Sequence, residues 1–384
     1  MSLSKRKQLA LTLSSRRAEL SALPVLTGFD GFVDEMITVV NTREDLRSYT
    51  KMDTISAFGK AVSAAAGHSS LREIVIRETH PGGCAVNMGD GLSRLGVPVC
   101  TYATVGNPLH AAFAEYAEQA SLYSWGDEPG RTLAFEFDDG KLMFSAVEQL
   151  QSFHPDALRG YLESTPFEAD CAAAKVIALT DWTLYPHMTA CWDLLREQVF
   201  AKLENPVFFF DLVDPSSRSE ADIRDMLPAL TRFQSLGEVN LGLNQNEANI
   251  LSRYLGLPIT QAKDPEAALD QAAALCKALK ISRVILHAIP YAVSAGDEGM
   301  ARLLGPYCEH PVKSTGAGDR FNAGWVLGRV LQLDETEKLM TACACSGAFV
   351  RKGLSGNLEG LCDLLESPWP GDSPAVISGG TPGA

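Results

Sequence analysis

The sequence predicts an α/β fold: a doubly wound, mostly parallel sheet carrying a small β-sheet lid. Three observations lead there. Short apolar runs rich in β-forming residues recur between longer segments with helical spacing of apolar residues. Several of these runs are apolar throughout instead of alternating, as expected of strands buried on both faces of a parallel sheet. One segment, RTLAFEFDDGKLMF at 131–144, alternates apolar and polar residues around Asp138-Asp139-Gly140 and reads as a β-hairpin. Antiparallel strands inserted into such a chain must pack off the main sheet.

Strands are expected at 23–29, 97–105, 175–180, 206–212, 239–243 and 283–287. Helical spacing is found over 85–95, 108–120, 187–203, 247–255, 265–279, 317–331 and 335–350. Strand–helix alternation of this kind implies a helix-covered parallel sheet. The predicted division is an N-terminal extension (1–22), the α/β domain (23–360) and a tail (361–384). Beyond Gly360 the composition turns to Pro, Gly and Ser, so the tail is read as partly loose. Lid strands are drawn from about 35–81 and from 131–147, the former with a short strand at 73–77 and a small-residue helix at 55–66.

Charge and cysteine usage narrow the function classes. The balance of 33 Lys and Arg against 47 Asp and Glu gives −14, which argues against nucleic-acid or anionic-membrane partners. The nine cysteines include no C-x-x-C pair and are odd in number, unlike a secreted disulfide framework. No apolar run reaches transmembrane length, and Lys5, Arg6, Lys7, Arg16 and Arg17 interrupt the first residues, so a cytoplasmic protein is expected.

Four motifs carry chemistry. The first is Thr315-Gly316-Ala317-Gly318-Asp319, a small-residue turn opening a helix. Such a turn exposes backbone N–H groups at the positive end of the helix dipole and lets an anion approach closely. Asp319 then either meets whatever reacts with that anion or only serves the helix N-terminus. The second, His80-Pro81-Gly82-Gly83-Cys84-Ala85-Val86-Asn87, offers bare backbone and an amide suited to hydroxyl groups, or is a plain loop before a helix. The third, Gly28 to Asp34, stands at the end of the first strand, where ligands of open α/β sheets collect. Asp34 is placed to accept sugar hydroxyls, and Asp30 either does the same or holds the turn with Gly31. The fourth is Asn244-Gln245-Asn246-Glu247 at a strand–helix junction. An amide and a carboxylate one turn apart suit Mg²⁺ held through water, and equally suit a capping box.

Taken in order along residues 23–358, these motifs resemble the ribokinase-like carbohydrate kinases of the PfkB family. The resemblance implies ATP- and Mg²⁺-dependent phosphorylation of a hydroxyl on a sugar or sugar-like acceptor. It implies Asp319 as base and Gly316, Ala317 and Gly318 as anion hole. Asn244, Glu247 and Thr315 would serve the nucleotide, metal and phosphates, and Asp34, Gly82, Gly83 and Asn87 the acceptor. Lids in this family often pair between subunits, which implies a homodimer through the lid.

Two departures from the family pattern stand out. Lys313 occupies the position two before Thr315 where members often carry an aspartate that helps bind a monovalent cation. Its ammonium is expected to replace that cation, the alternative being an exposed lysine. The usual glycine-bearing T-L-G-x-x-G nucleotide loop is replaced by Leu286-His287-Ala288-Ile289-Pro290-Tyr291-Ala292, which leaves nucleotide seating open. Residues 35–81 are also long for the family. Alternatives are a nucleoside kinase with a base pocket from Phe29, Phe32 and Phe135, and a catalytically silent sugar-binding regulator. Arg131 and Arg320 are the residues an acceptor phosphate would call on, though each is equally a surface charge.

Overall fold

The structure, a computed structural model, describes residues 3–260 and 264–370, and within them the chain builds two sheets. The first eight strands are β1 (Val25–Phe29), β2 (Phe32–Arg43), β3 (Tyr49–Lys51), β4 (Ile74–Gly82), β5 (Val99–Ala103), β6 (Ser121–Ser124), β7 (Gly130–Phe137) and β8 (Gly140–Ala146). The remaining six are β9 (Val176–Thr180), β10 (Val207–Asp211), β11 (Glu238–Asn244), β12 (Arg283–His287), β13 (Tyr291–Gly296) and β14 (Gly299–Leu304). The main sheet has the order β14-β13-β12-β11-β10-β9-β1-β5-β6. Its strands from β12 to β6 are parallel, and the β13–β14 hairpin closes one edge antiparallel to β12.

The uninterrupted apolar strands supply two cores at once. In β10, Phe208 and Phe210 enter one cluster and Phe209 the other; in β9, Ile177 and Leu179 oppose Val176 and Ala178. Each of these side chains larger than alanine contributes ~2 kcal/mol when fully buried. The helices Met188–Gln198, Glu220–Arg232, Gln245–Tyr254 and Pro265–Leu279 cover the first face. Cys84–Arg94, Ala317–Val330 and Glu335–Lys352 cover the second. The six strands expected from the sequence all form, with bounds within two residues of those read from the pattern.

The second sheet is the lid. Its spine is β2, a 12-residue strand paired antiparallel to β3 and β4 and parallel to β7, with β8 completing the hairpin expected around Gly140. The helix Ile55–Ser63 is capped by the Thr54 hydroxyl and lies in the same insertion.

Four sequence expectations need correction. The helix expected over 108–120 shrinks to a 3-10 turn, Ala111–Phe113, and a single turn, Ala114–Ala117. Its helical spacing places only Phe113 and Tyr116 in a small core, too little to hold a longer helix. Asp34 is not at the end of the first strand: β1 ends before Asp30, and Asp34 is the third residue of the lid spine. The N-terminal residues are built into the fold, since the helix Leu3–Ser15 buries Leu9, Ala10 and Leu13. Chain order beyond Gly360 continues, because the helix Leu358–Glu366 buries Leu361 and Leu365. Arg6 joins these last two segments by donating to the carbonyls of Leu365 and Ser367 while its guanidinium lies 4.6 Å from the Trp369 ring centroid. Residues 371–384 of the expected tail lie outside the described residues.

Candidate active site

The parallel strands end at one rim, and the charged residues follow immediately. Asp30 follows β1, Asp181 follows β9, and Asp211, Asn244 and His287 are the last residues of β10, β11 and β12. The lid brings Asp34, Thr132 and Ser145 over that rim, and the turn before Ala317–Val330 brings Thr315, Gly316, Gly318 and Asp319. These residues line a cavity of about 320 Å³ together with Phe32, Gly83, Cys84 and Asn87. A second cavity of about 1090 Å³ lies beyond the turn, between the Gln245–Tyr254 helix start, the 286–291 segment and the Glu335–Lys352 helix. Asn244, His287 and Gly318 line both.

The Gly-Ala-Gly turn is shaped by Gly316 at φ 85°, where a side chain would be strained and a Cβ would stand 2.8 Å from an Arg320 guanidinium nitrogen. Of the residues expected in the anion hole, Ala317 donates its N–H to the Ser314 carbonyl at 3.1 Å. Among the described residues the N–H groups of Gly316, Gly318 and Asp319 have no partner. No side chain caps this helix start. Arg320 stands behind the turn, donating to the Ser355 hydroxyl (2.9 Å), to Asp90 (3.1 Å) and, at 3.5 Å, to the Gly316 carbonyl.

Asp319 accepts a hydrogen bond from the Asn87 amide at 2.9 Å. Its carboxyl is raised to about 7, first by burial and then by the Asp211 charge, with Arg320 pulling the other way. Burial likewise lifts Asp211 to about 6. Asp211 accepts from the Val213 N–H (2.9 Å) and the Asn322 amide (2.6 Å). Burial pushes Asp181 and Glu247 well above the carboxylate range, and the neighbouring acids push them further.

Asp30, weighed in the sequence as a turn residue, accepts from the Cys84 and Ala85 N–H groups and the Thr180 hydroxyl. It therefore docks the Cys84–Arg94 helix onto the sheet. The two glycines before that helix serve this packing. A Cβ on Gly83 would lie 2.6 Å from the Asp30 carbonyl oxygen, and one on Gly82 would lie 2.6 Å from an Asp34 carboxylate oxygen. Asp34 is opposite His80 and Thr132 in the lid. Burial raises its carboxyl, while Thr132 and the Lys313, Lys141 and His80 charges pull it down.

Asn244 and Glu247 form the capping box that their spacing allows, Asn244 accepting from the Glu247 N–H at 3.0 Å and Glu247 from the Asn244 N–H at 2.8 Å. The donors here are hard oxygens. Among the described residues no group of three His, Cys, Asp or Glu is arranged to ligate a metal directly. The carboxylates of Glu247 and Asp211 already accept protein hydrogen bonds, so they fit Mg²⁺ held through water and nucleotide oxygens.

Of the other candidates, Phe29 stacks on Trp125 in the core and Phe135 packs on Phe58 and Phe144 in the lid; Phe32 alone reaches the smaller cavity. Arg131 pairs with Glu35 and Arg320 with Asp90, so neither is free for an acceptor phosphate. Lys313 lies 5.9 Å from the Phe349 ring centroid, and burial and Arg320 lower its pKa. Asp181 and Asp211 were missed in the sequence. Their signal was available in VIALTD and VFFFD, where an apolar strand ends on a carboxylate.

A doubly wound sheet with a β lid, a Gly-Ala-Gly-Asp helix start and paired cavities is the architecture of a ribokinase-like carbohydrate kinase. Residues 6–367 match the family model for prokaryotic ketohexokinase, and the chain belongs to that family. It is 27% identical over 334 residues to a ketohexokinase of Haloferax volcanii, covering 86% of this chain and 87% of that protein. In fold it is similar to phosphofructokinase-2 from Escherichia coli, with a TM-score of 0.60 at 13% identity over 89% of this chain and 98% of that one. Ribokinase from Thermotoga maritima gives 0.57 at 14% identity over 90% and 100%. The chain is an ATP-dependent sugar kinase, which removes the silent-regulator alternative. Among the described residues no helix is long and apolar enough to cross a membrane.

Proposed function

We propose that the chain transfers the γ-phosphoryl of ATP to a hydroxyl of a ketohexose, with Asp319 as general base. One observation carries the reading: Asp319 lines the smaller cavity, and beside it stand the unpartnered N–H groups of Gly318 and Asp319, with Gly318 lining both cavities. The sugar would occupy the smaller cavity, held by Asp34 and Asn87 where Gly82 and Gly83 bring the backbone close. ATP would occupy the larger one. As the sugar oxygen bonds to phosphorus, the bond from phosphorus to the ADP oxygen breaks and the hydroxyl proton passes to Asp319. A carboxyl poised at about 7 is a better base than an ordinary aspartate yet still ionises near neutrality. The unpartnered amides of the turn, with Thr315 beside them, take up charge on the equatorial oxygens without reorganising. Mg²⁺, held through water by Asn244, Glu247 and Asp211, would neutralise phosphate charge when bound.

The test is ATP turnover across ketohexoses, aldohexoses, ribose and nucleosides, for wild type and Asp319→Asn. A ketohexose is expected to give the highest kcat/KM, and the variant is expected to lose ~10²–10⁴-fold in kcat. Preference for an aldose or a nucleoside, or an active variant, contradicts the reading.

Three further parts belong with it. Lys313 replaces a bound monovalent cation: it and Arg320, 4.5 Å from the same Phe349 ring, set two fixed cations behind the turn. Turnover is then unchanged when potassium replaces a large organic cation, and a clear rise refutes it. Two copies pair through the lid, supported by exposed Ile74, Ile76, Met143 and Phe144 on β4 and β8; a monomeric mass by light scattering at micromolar concentration argues against it. The protein works in the cytoplasm, where ATP is available; recovery in a membrane or secreted fraction of its native cells would contradict this.

A further inference from the structure

The segment 286–292, which lacks the glycines of the family pattern, puts a histidine at the centre of the site. His287 is the last residue of β12, in register with Asn244 of β11. Its ring packs on Phe321 with centroids 4.9 Å apart. A Cβ added to Gly318 would lie 3.4 Å from its Cε1 and 3.6 Å from its Nε2. The glycine thus lets an imidazole lie against the very backbone that offers a free N–H group. Among the described residues neither ring nitrogen has a hydrogen-bond partner, although the residue lines both cavities. A polar ring held between an apolar neighbour and bare backbone, with no protein partner, is built for a ligand partner. An imidazole carries an N–H to donate in either protonation state.

We propose that His287 donates its ring N–H to an equatorial oxygen of the transferred phosphoryl, adding a side-chain donor to the amides of Gly318 and Asp319. The balance of the step is unchanged. The sugar oxygen bonds to phosphorus, the bond to the ADP oxygen breaks, the proton passes to Asp319, and His287 keeps its own. The inference rests on transfer occurring where the cavities meet.

The test compares His287→Phe, which keeps a ring against Phe321 but has no donor, with His287→Gln, which restores an N–H. His287→Phe is expected to lose ~10²–10³-fold in kcat, the loss typical of one oxyanion donor, with the sugar KM within ~3-fold. His287→Gln is expected to recover ~10-fold of that. A His287→Phe enzyme within ~3-fold of wild-type kcat, or a His287→Gln enzyme no better than it, overturns the proposal. Should the phenylalanine variant not fold, wild type labelled with ¹⁵N-histidine decides. With ADP, a planar metal-fluoride phosphoryl mimic and sugar, one histidine N–H that is absent in His287→Gln must become hydrogen-bonded, and no such signal overturns the proposal. An enzyme insensitive to Asp319→Asn refutes the site reading itself, whereas one sensitive to Asp319→Asn but not to His287→Phe refutes the histidine's role alone.

Discussion

Replacing Asp319 by asparagine is expected to remove turnover and, at neutral and higher pH, to make the protein more stable. The carboxyl is buried in the first turn of Ala317–Val330, and burial with the Asp211 charge lifts it from an ordinary 3.8 to about 7. In the unfolded chain the group ionises near 3.8, while the folded protein holds the proton to about 7. Between those values the unfolded state binds fewer protons, so stability falls as pH rises. At ~1.4 kcal/mol for each tenfold in the ionisation constant, an ionised Asp319 costs ~4 kcal/mol at about pH 8. Asparagine has the same shape, cannot ionise, and still offers an oxygen to the Asn87 amide. Urea unfolding of both proteins without nucleotide measures the difference. The variant should be more stable by ~4 kcal/mol at about pH 8 and by less than half of that at about pH 5. A variant no more stable than wild type at the higher pH, or a gap that does not shrink on acidification, refutes the reasoning. A gain in stability with loss of turnover is the mark of a residue kept for chemistry.

The same carboxyl should give kcat/KM an ionisation limb: activity rises with pH through about 7 as Asp319 loses its proton, and a profile flat across that region contradicts it. Gly82→Ala would set a Cβ 2.6 Å from the Asp34 carboxylate. The sugar KM should rise ~10-fold or more while the ATP KM and melting temperature stay put, and an unchanged sugar KM counts against Asp34. Arg320→Ala leaves Asp90 short of a buried partner and should destabilise by about 3 kcal/mol in urea unfolding. A loss below ~1 kcal/mol would show that Arg94 and the Ser355 hydroxyl suffice for Asp90.

Local signals made the main sheet and the Gly-Ala-Gly turn legible. Buried parallel strands such as VFFFD advertise themselves by apolar continuity, and Gly316 to Asp319 carry their turn chemistry within four residues. The lid spine was not legible. Asp34 and Glu35 interrupt its pattern, and its partners, Ile74–Gly82 and Gly130–Phe137, lie far away in sequence, so tertiary pairing decides the strand. The β13–β14 hairpin had a signal in Asp297-Glu298-Gly299 between two apolar runs, but the run after Pro290 passed for a loop. His287 was visible only as a departure from a family pattern, because its role follows from a neighbour, Gly318, that no spacing connects to it.

The acids at the rim are chemically alike and structurally unequal, and that inequality supports Asp319 as the base proposed above. Asp30 spends its oxygens on two backbone N–H groups and a hydroxyl, Asp211 on Val213 and Asn322, and Glu247 on its own helix start. Each of these would lose a packing contact on taking a proton from a substrate. Asp319 accepts one side-chain amide, stands beside unpartnered N–H groups, and lines the smaller cavity next to Gly318, which lines both. The committed acids still act on it, since the Asp211 and Asp30 charges help burial hold its carboxyl near neutrality. Residues that fix the fold at the strand ends thereby tune the carboxyl proposed as base. The sequence pattern of strands ending in aspartate is therefore as much a part of the proposed base as Asp319 itself.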